Sequence, residues 1–178
     1  MKSISKPAEG EYAPYAITYI NLVPPDGLFL EHLQTQVQST RELILAFPPE
    51  KCSWRWAEGE WTIKEILVHI LDSERIFCYR ALRFARNDAT PLAGFEQDAY
   101  VPYTGANERT LPAILAEYAA VRQATLTFFD SLDENALTRT GLVTGNRVSV
   151  RAAAWMIAGH EIHHLHSIQE NYRNGNPA

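Results

Sequence analysis

Four of the six histidines fall within seven residues, in the run Gly159-His160-Glu161-Ile162-His163-His164-Leu165-His166. On a helix, His160 and His164 stand one turn apart, ~6 Å along the axis and ~40° around it. Two imidazoles so placed can hold one divalent cation from a single rigid element. With His160 as the reference direction, Ala153, Met156, Ile157, His164, Ser167 and Ile168 share its side of the helix. That side is mostly apolar and faces a bundle interior. His163 falls on the flank, and His166 points largely away. A bound cation needs at least a third protein ligand, and His69, on an earlier helical stretch, is the best placed to look inward. Spacing alone leaves two readings open: a metal centre, or buried imidazoles satisfied by hydrogen bonds. His32 reads as a surface or hydrogen-bonded histidine.

The same run spells H-E-x-x-H, the zinc-peptidase helix in which the glutamate is the general base. Those enzymes take a third ligand from downstream. Only fourteen residues follow His164 here, with Glu170 on the same helix and no Gly-x-x-His extension. The peptidase reading fails on that ligand.

Four helical patterns must position these groups. The first runs from Leu28 to Phe47, with Leu30, Leu33, Val37, Ile44 and Phe47 near the 3.6 period, after Asp26-Gly27 and before Pro48-Pro49. The second opens at Thr62-Ile63-Lys64-Glu65, a capping box, and reaches about Arg86. The third spans about Arg109 to Leu132. The fourth starts after a Ser149 cap and runs from about Val150 to Tyr172, ended by Asn174-Gly175-Asn176-Pro177. Strand-like alternation is almost absent, and Gly141 to Gly145 reads as a turn. The expected fold is all-α, a four-helix bundle with unequal connectors that need not follow plain up-down order. A connector of ~20 residues, Asn87 to about Asn107, joins the second and third helices and is long enough to be a lid. Residues 1–25, rich in proline and tyrosine, read as an extended segment packed on the bundle.

The 178 residues fit one domain, 1–178, on the prior of about 150 residues per domain. Net charge is −5, which argues against a phosphate-tracking nucleic-acid binder. No apolar run has the length of a membrane span. The N-terminus lacks the apolar core of a signal peptide, and Cys52 and Cys78 cannot build a disulfide framework, so a cytoplasmic protein is expected.

With these motifs in place, the chain resembles the DinB/YfiT-like superfamily of four-helix-bundle metalloproteins. The resemblance rests on Trp61-Thr62-Ile63-Lys64-Glu65-Ile66-Leu67-Val68-His69 and on Gly159-His160-Glu161-Ile162-His163-His164. Asp72-Ser73-Glu74-Arg75-Ile76-Phe77 and Gly94-Phe95-Glu96-Gln97-Asp98-Ala99-Tyr100 are similar to one subgroup. It implies that His69, His160 and His164 bind a divalent metal, nickel or zinc, and that a low-molecular-weight thiol serves some relatives as cosubstrate.

Three neutral imidazoles and an open position make the pattern of a catalytic metal site. The expectation is an enzyme that activates water or a thiol against a small-molecule substrate, as a hydrolase or an S-transferase. The alternative is a non-catalytic metal or small-ligand binding protein. Glu65 and Asp72, one turn either side of His69, and Glu161 are the candidate catalytic carboxylates; salt-bridged or exposed helix faces are the ordinary reading of all three. Arg80 can hold a substrate carboxylate or phosphate, and a surface ion pair is its ordinary reading. Phe95, Asp98 and Tyr100 can close over the site from the connector as a lid, or the connector is simply packed structure. The fourth helix carries a second apolar seam, Trp155, Ala158, Ile162 and Leu165, opposite His160. Its cover is either the N-terminal segment or a second subunit, and a homodimer is the expectation.

Overall fold

The computed structural model describes residues 3–173. Four long helices carry it: α1 Phe29–Leu45, α2 Ile63–Ala85, α3 Leu111–Asp130 and α4 Val150–Tyr172. The expected Asn174-Gly175-Asn176-Pro177 stop lies outside the described residues. Helix starts follow their caps. The Thr62 Oγ1 accepts from the Glu65 N–H (3.1 Å), and a Glu65 carboxylate oxygen accepts from the Thr62 N–H (2.7 Å), closing the capping box. Ser149 Oγ accepts from the Ala152 N–H at the head of α4 (3.0 Å), and Thr110 does the same for Ala113 in α3.

Around the bundle, α2 packs on α4 and α3, and α1 packs on α3 and α4. Consecutive helices α1 and α2 therefore sit across a diagonal, which the unequal connectors permit. This is the all-α four-helix bundle expected, without plain up-down order.

The core falls into two apolar halves. One gathers Phe29, Phe84, Phe129 and Trp155, and the other gathers Ile44, Ile63, Ile114 and Tyr172. Between them lies a fully buried polar layer to which every long helix contributes. Arg122 of α3 donates through Nε and Nη2 to the two oxygens of Glu74 in α2 (3.0 and 2.9 Å). It also donates to the Leu33 carbonyl of α1 (2.9 Å) and to Glu161 of α4. The other Glu161 oxygen accepts from Thr40 Oγ1 and from the Tyr118 hydroxyl. Glu74, Arg122 and Glu161 are at most 1% exposed, so their charges are compensated by one another rather than by water.

The N-terminal segment packs on α4, but it is not extended throughout as the sequence reading expects. Ile4 is fully buried, and its carbonyl accepts from Trp155 Nε1 (3.1 Å). Glu11 pairs with Arg151. Residues Pro14–Ala16 and Ile17–Ile20 coil into two short helical turns. The Tyr19 backbone then passes directly over Gly159, where a Cβ would lie 2.0 Å from the Tyr19 carbonyl oxygen. The second seam of α4 finds its cover within the chain: Trp155 stacks on Phe29 (5.8 Å between centroids), and Ile162 and Leu165 pack against the two core halves. That seam thus gives no argument for a second copy.

Sequence periodicity missed a hairpin. Strands β1 Thr140–Val143 and β2 Asn146–Ser149 pair antiparallel about Thr144 and Gly145, both in the left-handed region (φ 47° and 81°). Leu92 of the long connector adds a parallel bridge to Val143. This pins the connector to the bundle, and the chain then forms a helical turn at Gln97–Tyr100. No helix among the described residues is long and apolar enough to cross a membrane.

Candidate metal centre

The second turn of α2 and the middle of α4 bring three imidazoles together. His160 Nε2 lies 3.0 Å from His69 Nε2 and 3.1 Å from His164 Nε2. Ligand atoms on a tetrahedral cation at 2.0–2.1 Å stand about 3.3 Å apart, so the two spacings at His160 are close to those of a shared ion, and the three ligand atoms all lie within 4.8 Å of one another. A neutral imidazole has one N–H, so a His160 Nε2 that faces two other Nε2 atoms cannot satisfy both by hydrogen bonds. His69 and His160 are 4% exposed. Burial pulls all three pKa values down, His69 to about 4, His164 to about 3 and His160 well below its ordinary value. The mutual repulsion of the rings adds to burial at His160 and His164. At neutral pH the rings are uncharged, the state in which imidazole is a metal ligand. The donor set therefore fits a divalent cation. Among the described residues, these three histidines are the one group of this kind.

Aromatic rings enclose the cluster. Trp61 lies 4.9 Å from the His69 ring and stacks over His164 at 6.5 Å. Tyr19 meets His160 and His163 edge-on, each at 5.4 Å, and Phe77 meets His160 at 6.0 Å. His163 and His166 are exposed. His32 is not part of the converging group and pairs with Asp26 (2.7 Å).

Two cavities flank the histidines. The larger, about 720 Å³, is lined by His164, His163, Trp61, Trp56, Arg55 and Asp98 among others. The second, about 450 Å³, is lined by His160, Tyr19, Ser73, Phe77, Arg80, Phe95 and again Asp98. Asp98 borders both, and its charge opposes the downward shift at His69. Tyr100 is half-exposed, and its ring meets Phe95 at 5.5 Å.

Of the three candidate catalytic carboxylates, Glu65 and Glu161 are held by other partners, and Asp72 has a longer contact to Arg75. Glu65 takes Arg55 (2.7 Å) and Asn107 (2.9 Å) on one oxygen and the Thr62 N–H on the other, although it also edges the larger cavity. Asp72 sits beside Arg75 (3.5 Å), where burial raises its pKa. Glu161 is neither an exposed charge nor a base at the histidines. A rotation of ~100° from His160 turns it into the core, where Arg122 holds it. The Glu74–Arg122–Glu161 layer and the Trp61 and Tyr19 walls were not singled out from sequence. Arg122 did carry a signal, four residues from Tyr118 and from Leu126 on a buried stripe.

A diagonal four-helix bundle with three converging imidazoles defines a class, and the class is confirmed by comparison. The family model for the DinB superfamily matches residues 32–168, and the chain belongs to that superfamily. It is similar to an Oceanobacillus iheyensis protein named "Putative metal-dependent hydrolase OB0413", 26% identical over 145 residues, covering 79% of this chain and 82% of that one. The structure of Bacillus subtilis YfiT, described as "a probable metal-dependent hydrolase with an unusual four-helix bundle topology", superposes with a TM-score of 0.71 at 16% identity. It covers 94% of this chain and 91% of that one. The mycothiol-dependent maleylpyruvate isomerase superposes with a TM-score of 0.64 at 14% identity, over 82% of this chain and 61% of the isomerase.

Proposed function

We propose that this chain is a metal-dependent enzyme whose His69, His160 and His164 hold a divalent cation, nickel or zinc, and which attacks a small electrophile with water or a low-molecular-weight thiol. The observation that carries this reading is the convergence of three neutral imidazoles, two of them buried and the third half-buried, with His160 Nε2 3.0 and 3.1 Å from the Nε2 atoms of His69 and His164. The hydrolase names of two relatives and the mycothiol dependence of a third support it.

A divalent cation in this place supplies the positive charge that makes a water or thiol acidic near neutral pH. The chain supplies the rest. Helices α2 and α4 fix the three imidazoles, and Trp61, Tyr19 and Phe77 keep bulk water from their faces. The larger cavity suits a bulky thiol cosubstrate, and the smaller one suits the electrophile. In either reaction, oxygen or sulfur bonds to the electrophilic carbon, and the bond to the leaving group breaks. Asp98, which borders both cavities, takes the nucleophile's proton and returns it to the leaving group.

The test is metal content by inductively coupled plasma mass spectrometry on untagged protein, with His69→Ala, His160→Ala and His164→Ala alongside. Near-stoichiometric metal lost in all three variants is expected. No metal after reconstitution with nickel or zinc would sink the reading. Turnover that needs added bacillithiol, mycothiol or glutathione then separates transferase from hydrolase, and a metal-loaded protein without turnover is a binding protein.

A further inference from the structure

Arg80 and Arg122 are the two buried arginines among the described residues. Arg122 is neutralised by Glu74 and Glu161. Arg80, 7% exposed, has no such partner: no carboxylate among the described residues pairs with it. Its guanidinium donates through Nη2 to the Ala93 carbonyl (3.1 Å), and Cζ stands 5.9 Å from the Phe77 ring and 5.7 Å from the Phe95 ring. Most of its five donors remain to be met. Burial lowers its pKa from the ordinary arginine value, yet the group stays charged, and a desolvated cation calls for a counter-ion.

A second, independent feature points into the same space. Ser73 Oγ is the buried side-chain polar atom that finds no hydrogen-bond partner among the described residues, and Ser73 is 1% exposed. Ser73 and Arg80 both line the cavity that His160 borders. His69, Ser73, Phe77 and Arg80 follow one another along α2 at intervals of three or four residues, so they form one stripe. Arginine side chains on a helix lean toward its N-terminus, which here is the His69 side. Phe77 bridges the two ends, its ring 6.0 Å from His160.

We propose that Arg80, with Ser73 beside it, is an anion subsite that receives the carboxylate of a small-molecule electrophile and points its other end at the histidine cluster. Guanidinium matches a carboxylate with two parallel N–H donors, and the Ser73 hydroxyl supplies a further donor. A singly charged group fits better than a phosphate dianion, because Glu96 and Asp98 stand on the rim of this cavity. The subsite thus assigns the substrate class, a carboxylic acid carrying its reactive carbon a few bonds away. That assignment rests on the metal-dependent reading above, whereas anion binding itself does not.

Calorimetric titration with sodium succinate, and with neutral succinamide as control, tests the subsite on metal-free and zinc-loaded protein. Succinate is expected to bind both forms at least tenfold more tightly than succinamide. Arg80→Met, which removes the charge at similar length, is expected to lose at least tenfold in both forms. Ser73→Asp, which puts a negative charge into the cavity and leaves Arg80 in place, is expected to do the same. Should Arg80→Met fail to fold, Ser73→Asp and the shift of the wild-type Arg80 Nε–H resonance on adding succinate decide the matter. Equal affinity in Arg80→Met, or no preference for succinate in the metal-free wild type, would overturn the subsite. A protein that takes up no metal yet binds succinate through Arg80 keeps the subsite and removes the metal-dependent reading. The converse pattern removes only the subsite.

Discussion

His160 and Glu161 are adjacent in the chain and serve different parts of the molecule. The His160 Nε2 meets His69 and His164, while the Glu161 carboxylate is locked to Arg122, Tyr118 and Thr40 in the core. A single step around α4 therefore joins the histidine cluster to the polar layer that links all four helices.

Removing Arg122 leaves Glu74 and Glu161 buried without their counter-charge. Breaking a buried ion pair in this way costs about 3–5 kcal/mol. Arg122→Met should lower the urea midpoint accordingly, and its metal content should fall with the loss of the α4 register. A midpoint within experimental error of wild type would show that the layer is not held by charge.

Metal removal should destabilise the folded chain. A ligand at a thousandfold excess over its dissociation constant adds about 4 kcal/mol to folding. Chelation is expected to lower the melting temperature of wild type and leave His164→Ala nearly unmoved. An equal response in the variant would place the metal elsewhere.

The pair Glu11–Arg151 ties the N-terminal segment to α4. The hydrogen bonds from Arg151 hold the Glu11 pKa to about 2, against 4.5 for the free group. The folded pKa is the lower one, so the stabilisation is present above about 4.5 and is lost as pH falls toward 2. Melting curves of wild type and Glu11→Gln should differ at neutral pH and converge near pH 2. A constant gap across that window would contradict the assignment.

Gly159→Ala sets two effects against each other. Alanine favours a helix by about 1 kcal/mol over glycine, but its Cβ would sit 2.0 Å from the Tyr19 carbonyl oxygen. Overpacking of this kind costs typically 1–3 kcal/mol, more where backbone must move. Net destabilisation is expected in a denaturant titration, together with faster proteolysis of the N-terminal segment. Net stabilisation would mean that the segment shifts freely.

Asp98→Asn should leave metal content unchanged and reduce turnover about 100-fold or more, the scale of general acid–base catalysis. A variant that turns over normally would relieve Asp98 of the proton-transfer role.

Much of this was legible in the chain. His160 and His164 announce themselves by one-turn spacing on an apolar face, and the caps at Thr62 and Ser149 fix where α2 and α4 begin. The role of Glu161 was not legible, because the arginine that claims it lies 39 positions away and reaches it only once α3 packs. The hairpin escaped because its strands are four residues long and its turn uses Thr144-Gly145, not the Asn-Gly or Asp-Gly that usually marks such turns. Arg80 was legible as a cation near the His69 face. Its lack of a carboxylate partner belongs to three dimensions.

The diagonal placement of α1 and α2 has a bearing on how the chain is made. Of the three pairs of successive long helices, only α2 and α3 are packed neighbours, so only that hairpin can form locally as the polypeptide leaves the ribosome. His69 is available from that moment, but its partners arrive with the last helix. On the proposed function, a three-histidine grip on a cation can close only after residue 164 has emerged and α4 has docked, which would make metal capture a late event in biogenesis and a marker that the bundle is complete.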